Sequence, residues 1–519
     1  MRGLGLAALL VASQAGATGF ADHGRDLGAK PSEDVRLDGY FRVRGEALYN
    51  LDLDRGPTPS GELFYPVPLG GKNGQTLTRA DMRLRTDLSI FAPGGMMAVK
   101  ARFDALDNVA LGSAPEGIPA ASSTQRTEGE TLVVKRVWGE ALTPFGALAI
   151  GRMGSHWGLG MLANAGDCLD CDSGDAADRI AFVTPLIGHF WAVAYDFSAT
   201  GPFVPHRASS RSIDFAPSAA VHSLTFAVMA SRTDAARARR AAAGKHTLEY
   251  GAYASHRWQD ADVPATYVPV AQPVLVNDRQ VMARGYRATA VDAWGRISGR
   301  GYRVEAEVAY LMARVDQPSL VPGVLFRDAA TSKQLGAALE SEFGDADGSY
   351  RLGLDAGYAS GDSAPGFGAF PGVNRAAPVP GDLDGPQGRP PHDLTVNNFR
   401  FHPDYRVDRI LFREIIGTVT DAVYVKPHLS GELFRFASGR LEASLAVVMS
   451  WAVNSESAPG RERSLGVEID PTLRYESRDG FAFALEHATL LPGAGLDNPE
   501  LGLRAKPAQL WRLAAAFTF

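Results

Sequence analysis

The 519-residue sequence has no long uninterrupted run of apolar residues. The nearest candidate, residues 180–197, is broken at its centre by Pro185, Gly188 and His189. It therefore predicts two strands and a turn instead of a spanning helix. The 56 Gly and 32 Pro recur every few positions, and mean hydropathy is near neutral. These features exclude a bundle of membrane-spanning helices.

The sequence also has no excess of basic residues. It carries 52 Lys and Arg against 58 Asp and Glu, and this acidic balance argues against nucleic-acid binding. Metalloprotease, nucleophile-elbow and phosphate-loop motifs are absent. A GDSAPG segment at 361–366 lies in a Gly- and Pro-rich stretch with no evident His and Asp partners. We therefore do not expect an enzyme.

Cysteine is scarce, with only Cys168 and Cys171 in the whole chain. In an exported protein this pair favours a local disulfide over a zinc site, which would need four ligands. The surrounding loop, 154–179, is rich in carboxylates that could ligate Ca²⁺, although their spacing is not that of an EF-hand. The alternative is a solvated acidic loop, and no other cofactor is expected. The calcium candidates are Asp167, Asp170, Asp172 and Asp175.

The chain begins with the pattern of a secretory signal peptide. A charged start at Arg2 precedes nine apolar residues, 4–12, and a small-residue cleavage site at 15–17. We expect residues 1–17 to be removed on export and residues 18–36 to form a flexible periplasmic lead. Residues 37–519 form the remaining domain.

That domain consists of alternating segments typical of β-strands with one apolar face. Eighteen are predicted, and sixteen remain an alternative because 131–142, 146–153 and 179–184 have weaker patterns. Short connections alternate with long ones, as in the periplasmic turns and outer loops of an outer-membrane barrel. The fold class is thus all-β, a transmembrane antiparallel up-and-down barrel. The other predicted strands are 37–52, 79–90, 97–107, 190–198, 221–232, 246–258, 281–297, 302–314, 333–343, 350–360, 423–435, 440–454, 464–476, 481–491 and 508–519.

The last strand fixes which face should meet lipid. Trp511, Leu513, Phe517 and Phe519 share one face, whereas Arg512 lies on the other. An apolar face of this kind suits a strand with lipid on one side. The charged face then lines a lumen, which in a barrel of this size is wide enough for an aqueous channel.

Extending this register predicts a basic wall from the first strands and a more acidic wall from later ones. Opposed walls would create a transverse field, whereas the alternative is that the charges pair across strands. The predicted pore-lining residues are Arg42, Arg44, Arg79, Arg83, Arg85, Lys100, Arg102, Asp104, Glu305, Glu307, Glu340, Glu342, Asp355, Glu468, Asp470 and Arg474.

The longest connection, 361–422, is Gly- and Pro-rich at first and then changes character. Residues 402–417 place apolar side chains near one helical face, which predicts a helix starting near Pro403. A loop this long is usually functional. We expect it to form a constriction with Arg406, Arg409 and Arg413 as candidates, the alternative being an outer cap on the rim.

The signal peptide, alternating strands and terminal Phe519 together resemble porin-type barrels, including the alginate-export type. Segments 134–171, 178–197 and 399–427 resemble an uncharacterised family of predicted bacterial outer-membrane proteins. The porin resemblance implies passive diffusion. The alginate-type resemblance implies a path for an anionic glycan through an Arg-rich lumen. The mixed charge of this lumen, and Pro427 and Pro471 within strands, depart from those patterns. We expect the two prolines to mark bulges.

The expected function is therefore diffusion of small hydrophilic or charged solutes across the bacterial outer membrane. One alternative is a non-conducting barrel with a surface-interaction or structural role, and another is a ligand-specific uptake or export channel. Expected partners are outer-membrane lipid, the solutes and the barrel-assembly machinery, which would engage the C-terminal strand.

Overall fold

The computed structural model describes residues 19–28, 33–71, 74–112, 132–263, 280–345, 349–372 and 376–519. The expected signal peptide and part of the expected lead lie outside these ranges. Within them, eighteen strands form one closed antiparallel barrel. In chain order, β1 to β18 are Val35–Tyr49, Thr76–Phe91, Met97–Ala110, Leu132–Thr143, Gly146–Gly154, Ala176–Leu186, His189–Ala199, Val221–Ala230, Thr247–Asp262, Met282–Gly299, Tyr302–Val315, Ala330–Gly344, Tyr350–Ala359, Ala422–Arg435, Gly439–Ala452, Ser464–Ser477, Phe481–Pro492 and Ala508–Thr518.

Each barrel strand pairs with its sequence neighbour, and β1 closes the barrel against β18 through pairs such as Gly45 with Leu513. The prediction of an all-β up-and-down barrel is thus confirmed, with eighteen strands and not sixteen. The three less certain strands, β4 to β6, are all present. No helix of the described residues is long and apolar enough to cross a membrane.

The faces of the strands follow the predicted register. On β18, Trp511 and Leu513 are about half exposed on the outer surface, whereas Arg512 is 2% exposed inside the barrel. Arg512 lies opposite Glu46 and Glu486 on its two neighbouring strands, so acidic and basic side chains share the inner face. The side-chain period of two therefore separates an apolar outside from a charged inside.

Long loops gather at one end of the barrel, and short turns gather at the other with the last residue of the chain. The exception is the connection between β8 and β9, which holds helix α1, Asp234–Ala242, capped by the Thr233 side chain. Other short elements are strands Phe203–Pro205 and Ser212–Asp214, 3-10 turns Gly19–Asp22, Pro217–Ala219 and Ala494–Leu496, and one π-helical turn, Leu411–Ile416.

The prediction that Pro427 and Pro471 mark bulges is wrong. The pairs on either side of Pro427 keep one register from Val425 to His428, and the same holds around Pro471. A proline removes one backbone donor from the ladder, but here it does not insert an extra residue.

Candidate functional site

The lumen is the candidate site, and all sixteen predicted pore-lining residues lie on inward strand positions. Direct cross-strand pairs link them, such as Arg42 with Arg83, Arg85 with Asp104 and Glu305 with Glu340. Like charges thus face each other along part of the wall, which is unfavourable unless a third group separates them. Two loops that fold into the lumen supply such groups.

The first of these loops, residues 155–175, lies against the basic wall of β1 to β4. Arg83 donates to the Cys171 carbonyl oxygen at 2.7 Å, and Arg85 donates to that of Gly166 at 2.7 Å. Arg42 likewise donates to the Leu169 carbonyl oxygen. Buried guanidinium groups need several acceptors, and the backbone of this loop provides them.

Asp170 lies at the centre of four guanidinium groups. Its carboxylate accepts from Arg44 at 2.9 Å, Arg413 at 2.6 Å, Arg512 at 3.1 Å and Arg406 at 3.4 Å. Burial opposes ionisation, but the charges of Arg512, Arg406 and Arg44 hold the pKa of Asp170 well below its usual range. We call Asp170 and these four arginines the Asp170 cluster.

Asp172 has a similar role beside this cluster. It accepts from Arg42 at 3.0 Å and from Arg406 at 2.8 Å, and these arginines come from the wall and from the long loop. Asp167 makes ion pairs with Arg102 and Arg136. The charges of this region therefore form local ion pairs. This agrees with the alternative in which lumen charges pair with each other and do not create a transverse field.

This pairing bears on the calcium expectation. Asp167, Asp170 and Asp172 face arginines, and Asp175 lies 3.5 Å from His402. Among the described residues, no group of three or more His, Cys, Asp or Glu side chains is placed to hold a metal ion. Calcium would have to displace arginines here, and calorimetric titration with Ca²⁺ and EGTA tests whether it does.

Cys168 and Cys171 form a disulfide in the same loop, with their Cα atoms 5.1 Å apart. The bridge closes a tight turn between Asp167 and Asp172, in which the Cys171 N–H donates to the Cys168 carbonyl oxygen. It therefore constrains the segment that presents Asp170 to the arginines.

The other end of this loop is anchored on the opposite wall. The Trp157 indole donates to Asp292 at 2.8 Å, and Glu307 accepts the backbone N–H groups of Leu159 and Leu162. Trp157 is 2% exposed and packs beside Tyr253. The loop thus spans the lumen from β1 to β11. The sequence did not identify Trp157, although an indole within the Gly-rich GSHWGLG segment was a usable signal.

The long loop, residues 360–421, also folds inward. Phe367, Phe399 and Phe401 are at most 1% exposed and belong to a cluster that includes small inward residues of several strands. Gly336 of β12 makes room for this packing, because a Cβ there would lie 2.3 Å from the Phe399 ring. The apolar half of the loop therefore stays in place without exposing its aromatic residues to water.

Within this loop, residues 402–417 form a lobe that is closed at its base. The Phe401 N–H donates to the Val419 carbonyl oxygen at 2.9 Å, and the Thr418 hydroxyl donates to that of Phe401 at 2.6 Å. The two chain ends of the lobe are thus already joined. We call residues 402–417 the constriction lobe.

The predicted helix in the constriction lobe is shorter than expected, and only Leu411–Ile416 is helical. Glu468 of β16 accepts the N–H groups of Arg409, Ile410 and Leu411 at 2.8 to 3.0 Å. Asp408 accepts from the N–H of Phe412 at 2.9 Å. These carboxylates satisfy the donors that begin the helical turn, so the preceding residues remain extended or bent.

The three constriction candidates connect the lobe to both sides of the lumen. Arg413 and Arg406 reach Asp170 and Asp172 on the first loop. Arg409 donates to Glu486 of β17 and, at 2.8 Å, to Thr472 of β16. The lobe therefore contacts both the first inward loop and the wall at β16 and β17.

A third inward segment was missed by the sequence analysis. Residues 19–28, expected to be flexible, pack inside the barrel against β4 and β5. His23 lies 3.1 Å from Glu140, which also accepts the Gly24 N–H at 3.0 Å. Phe20 is 5% exposed, and the Arg179 guanidinium lies 5.2 Å from its ring. We call residues 19–28 the N-terminal strap.

Several cavities remain inside the barrel, and two of them adjoin the first inward loop and the constriction lobe. The larger, of about 810 Å³, is lined by Phe20, Trp157 and Tyr253 among others. Arg257 also lines it, and in the described part of the chain its guanidinium makes no ion pair. The smaller, of about 440 Å³, lies beside the constriction lobe and is lined by seven carboxylates and five Arg or Lys side chains. Both are large enough for small polar solutes.

No family model and no curated protein matches the sequence. Solved porin structures match in three dimensions, among them OccK11 (OpdR) of Pseudomonas aeruginosa, with a TM-score of 0.48, 10% identity, and coverage of 96% of this chain and 99% of that one. The vanillate complex of OpdK from the same organism gives 0.44 and 10%, covering 93% and 98%. A BenF-like porin of Pseudomonas fluorescens Pf-5 gives 0.43 and 8%, covering 94% and 99%.

Proposed function

We propose that this protein is an outer-membrane channel through which small hydrophilic or charged solutes diffuse. The observation that carries the proposal is the combination of a closed barrel, an apolar outer face and a charged inner face that still encloses cavities of about 810 and 440 Å³. A barrel that only supported surface loops would have no need for water-accessible charged cavities within it.

The narrow part of the path is formed by the constriction lobe and the first inward loop, which meet at the Asp170 cluster. Asp404 strengthens this meeting point, because it accepts the N–H groups of Asp172 and Ser173 at 2.8 Å each. Solutes must pass beside these contacts, so size and charge selection are expected here.

Single-channel conductance in planar bilayers tests the proposal. Deletion of residues 402–417 removes the constriction lobe between chain ends that are already hydrogen-bonded, so the barrel should still close. We expect the wild type to conduct and the deletion variant to conduct more. Deletion of residues 203–214 is the matched control, since this exposed hairpin lies between Pro202 and Phe215, which are joined by a 2.9 Å backbone hydrogen bond. The control should conduct like the wild type.

If neither the wild type nor the lobe deletion conducts, the channel proposal is wrong and a non-conducting barrel is favoured. A wild type that is silent beside a conducting deletion variant would make the lobe a closed gate. Equal conductance of wild type and lobe deletion would remove the constriction from the proposal. Liposome swelling with sugars, amino acids and organic anions then compares solute classes.

An anionic glycan path is less well supported, because the arginines it would use are occupied by Asp170, Asp172 and the wall carboxylates. We infer export by a cleaved signal peptide, residence among outer-membrane lipids and insertion by the barrel-assembly machinery through β18. The exposed aromatic residues Trp511 and Phe517 support the lipid contact.

A further inference from the structure

The connection between β8 and β9 differs from the others at the turn end of the barrel. It contains sixteen residues, whereas β4 to β5 and β6 to β7 are each joined by two. The additional residues form helix α1, which has no buried residue. Packing within the barrel therefore does not account for the exposed side chains of this helix.

The helix and its neighbours carry many cations. Arg237 is used within the structure, because it pairs with Asp234 and Glu249. Arg240 donates to the His246 carbonyl oxygen. These contacts hold the helix against the start of β9 and account for its two partly buried arginines.

Four other cations at this place are exposed and unpaired. They are Arg232 before the helix, Arg239 on it, Lys245 after it and Arg300 in the adjacent turn between β10 and β11. Within the ranges that the structure describes, none of the four makes an ion pair. We call these four residues the rim cluster. Four exposed cations at one place, without an ion-pair partner in these ranges, favour an anionic ligand.

The rim cluster lies beside the lipid-facing surface. Leu248 and Tyr250, on β9 just after Lys245, point outward and are 62% and 45% exposed. The Tyr250 hydroxyl lies 2.8 Å from His189, and Tyr302, next to Arg300, lies 2.6 Å from His246. Tyrosines of this kind mark the depth of lipid headgroups in membrane barrels.

We propose that the rim cluster binds the headgroups of anionic phospholipids in the leaflet at the turn end of the barrel. The cations stand where phosphates of that leaflet would lie, and the side chains of Tyr250 and Tyr302 mark the same depth. Cations beside a membrane span attract acidic lipid in this way. The proposal rests on the membrane placement proposed above but not on conduction.

Lipid preference tests the proposal. The folded protein is placed in vesicles of phosphatidylcholine alone and of phosphatidylcholine mixed with phosphatidylglycerol, and retained lipid is measured by native mass spectrometry. The test variant carries Arg232→Gln, Arg239→Gln, Lys245→Gln and Arg300→Gln. We expect wild type to retain phosphatidylglycerol and the variant to lose about fivefold in preference per cation, which corresponds to about 1 kcal/mol each.

The matched control also removes four exposed cations, at the loop end of the barrel: Arg207→Gln, Arg211→Gln, Arg327→Gln and Arg463→Gln. It should keep the preference of the wild type, as should a variant with lysine at the three rim arginines. Equal lipid retention by wild type and test variant, or an equal loss in the control, would overturn the proposal. So would binding to isolated peptidoglycan that depends on the rim cluster while lipid preference does not. Conductance of the test variant is measured separately, so failure of the channel proposal remains distinguishable.

Discussion

Removal of the charge at the centre of the Asp170 cluster should change ion selectivity. The substitution Asp170→Asn keeps the size of the side chain but leaves four guanidinium groups within 3.4 Å of a neutral amide. Because their charges hold the pKa of Asp170 well below its usual range despite burial, the wild-type residue is ionised at any working pH. The variant therefore has one more net positive charge at the constriction.

The size of the effect follows from Coulomb's law. A unit charge about 8 Å from a passing ion changes its energy by about 0.5 kcal/mol in bulk water and by about 2 kcal/mol at an effective dielectric constant near 20. Loss of the carboxylate charge lowers the energy of a passing anion and raises that of a passing cation by this amount. The logarithm of the anion-to-cation permeability ratio therefore changes by twice this energy divided by RT. The ratio of anion to cation permeability should rise by about fivefold at the lower limit.

The assay is the reversal potential of the reconstituted channel across a KCl gradient, near 0.1 M salt, where screening extends over about 10 Å. Asp316→Asn is the control, because this carboxylate pairs with Arg314 at 2.7 Å outside the lumen and should leave the potential unchanged. Arg413→Gln removes a positive charge from the same cluster and should shift the potential in the opposite direction.

An unchanged reversal potential in a folded, conducting Asp170→Asn channel would refute the placement of this cluster on the ion path. The substitution should also lower the free energy of unfolding by about 1–3 kcal/mol, since it leaves partly buried charges without their partner. Resistance to heat in gel electrophoresis measures that loss separately.

Three further predictions concern the segments inside the barrel. Burial raises the pKa of Asp408 from its ordinary value of 3.8 to about 8, so the free energy of unfolding should fall as pH rises through this interval. The substitution Asp408→Asn should flatten this fall. Denaturation midpoints measured at about pH 4 and about pH 9 check it. Glu140→Gln removes the carboxylate charge that contacts His23 of the N-terminal strap. A cysteine placed at Ala21, which is 9% exposed, should then react with a thiol reagent faster than the same cysteine beside an intact Glu140. An unchanged rate would show that other contacts hold the strap. Trp157→Phe leaves Asp292 without its indole donor and should cost about 1–3 kcal/mol of unfolding free energy, whereas Trp451→Phe on the exposed outer face should cost less.

The sequence was sufficient for the barrel because each strand carries its own evidence. In β18, the alternation of Trp511, Arg512 and Leu513 is a local pattern, and the inward parity then extends by pairing to every other strand. The alternative count of sixteen strands arose only because residues 131–142, 146–153 and 179–184 alternate weakly between apolar and polar side chains. The pattern could not show which inward charges meet, because that depends on loops that return to the lumen.

The contacts inside the lumen join residues far apart in sequence. Glu468 binds the backbone at Ile410, and Glu140 binds His23 more than one hundred positions away. No periodicity relates such residues, so the sequence predicted the three constriction arginines as a group without predicting their partners. The N-terminal strap was missed because its polar, Gly-containing composition is that of a flexible segment, and only burial of Phe20 and Leu27 reveals otherwise.

The Asp170 cluster has a consequence for how the barrel assembles. Arg44 lies on the first strand and Arg512 on the last, and the two strands meet only when the sheet becomes a cylinder. Asp170, from the loop after β5, bridges both arginines across that seam. Asp170 can contact both arginines only when the first and last strands are paired. The paired seam and the inward position of this loop therefore stabilise each other.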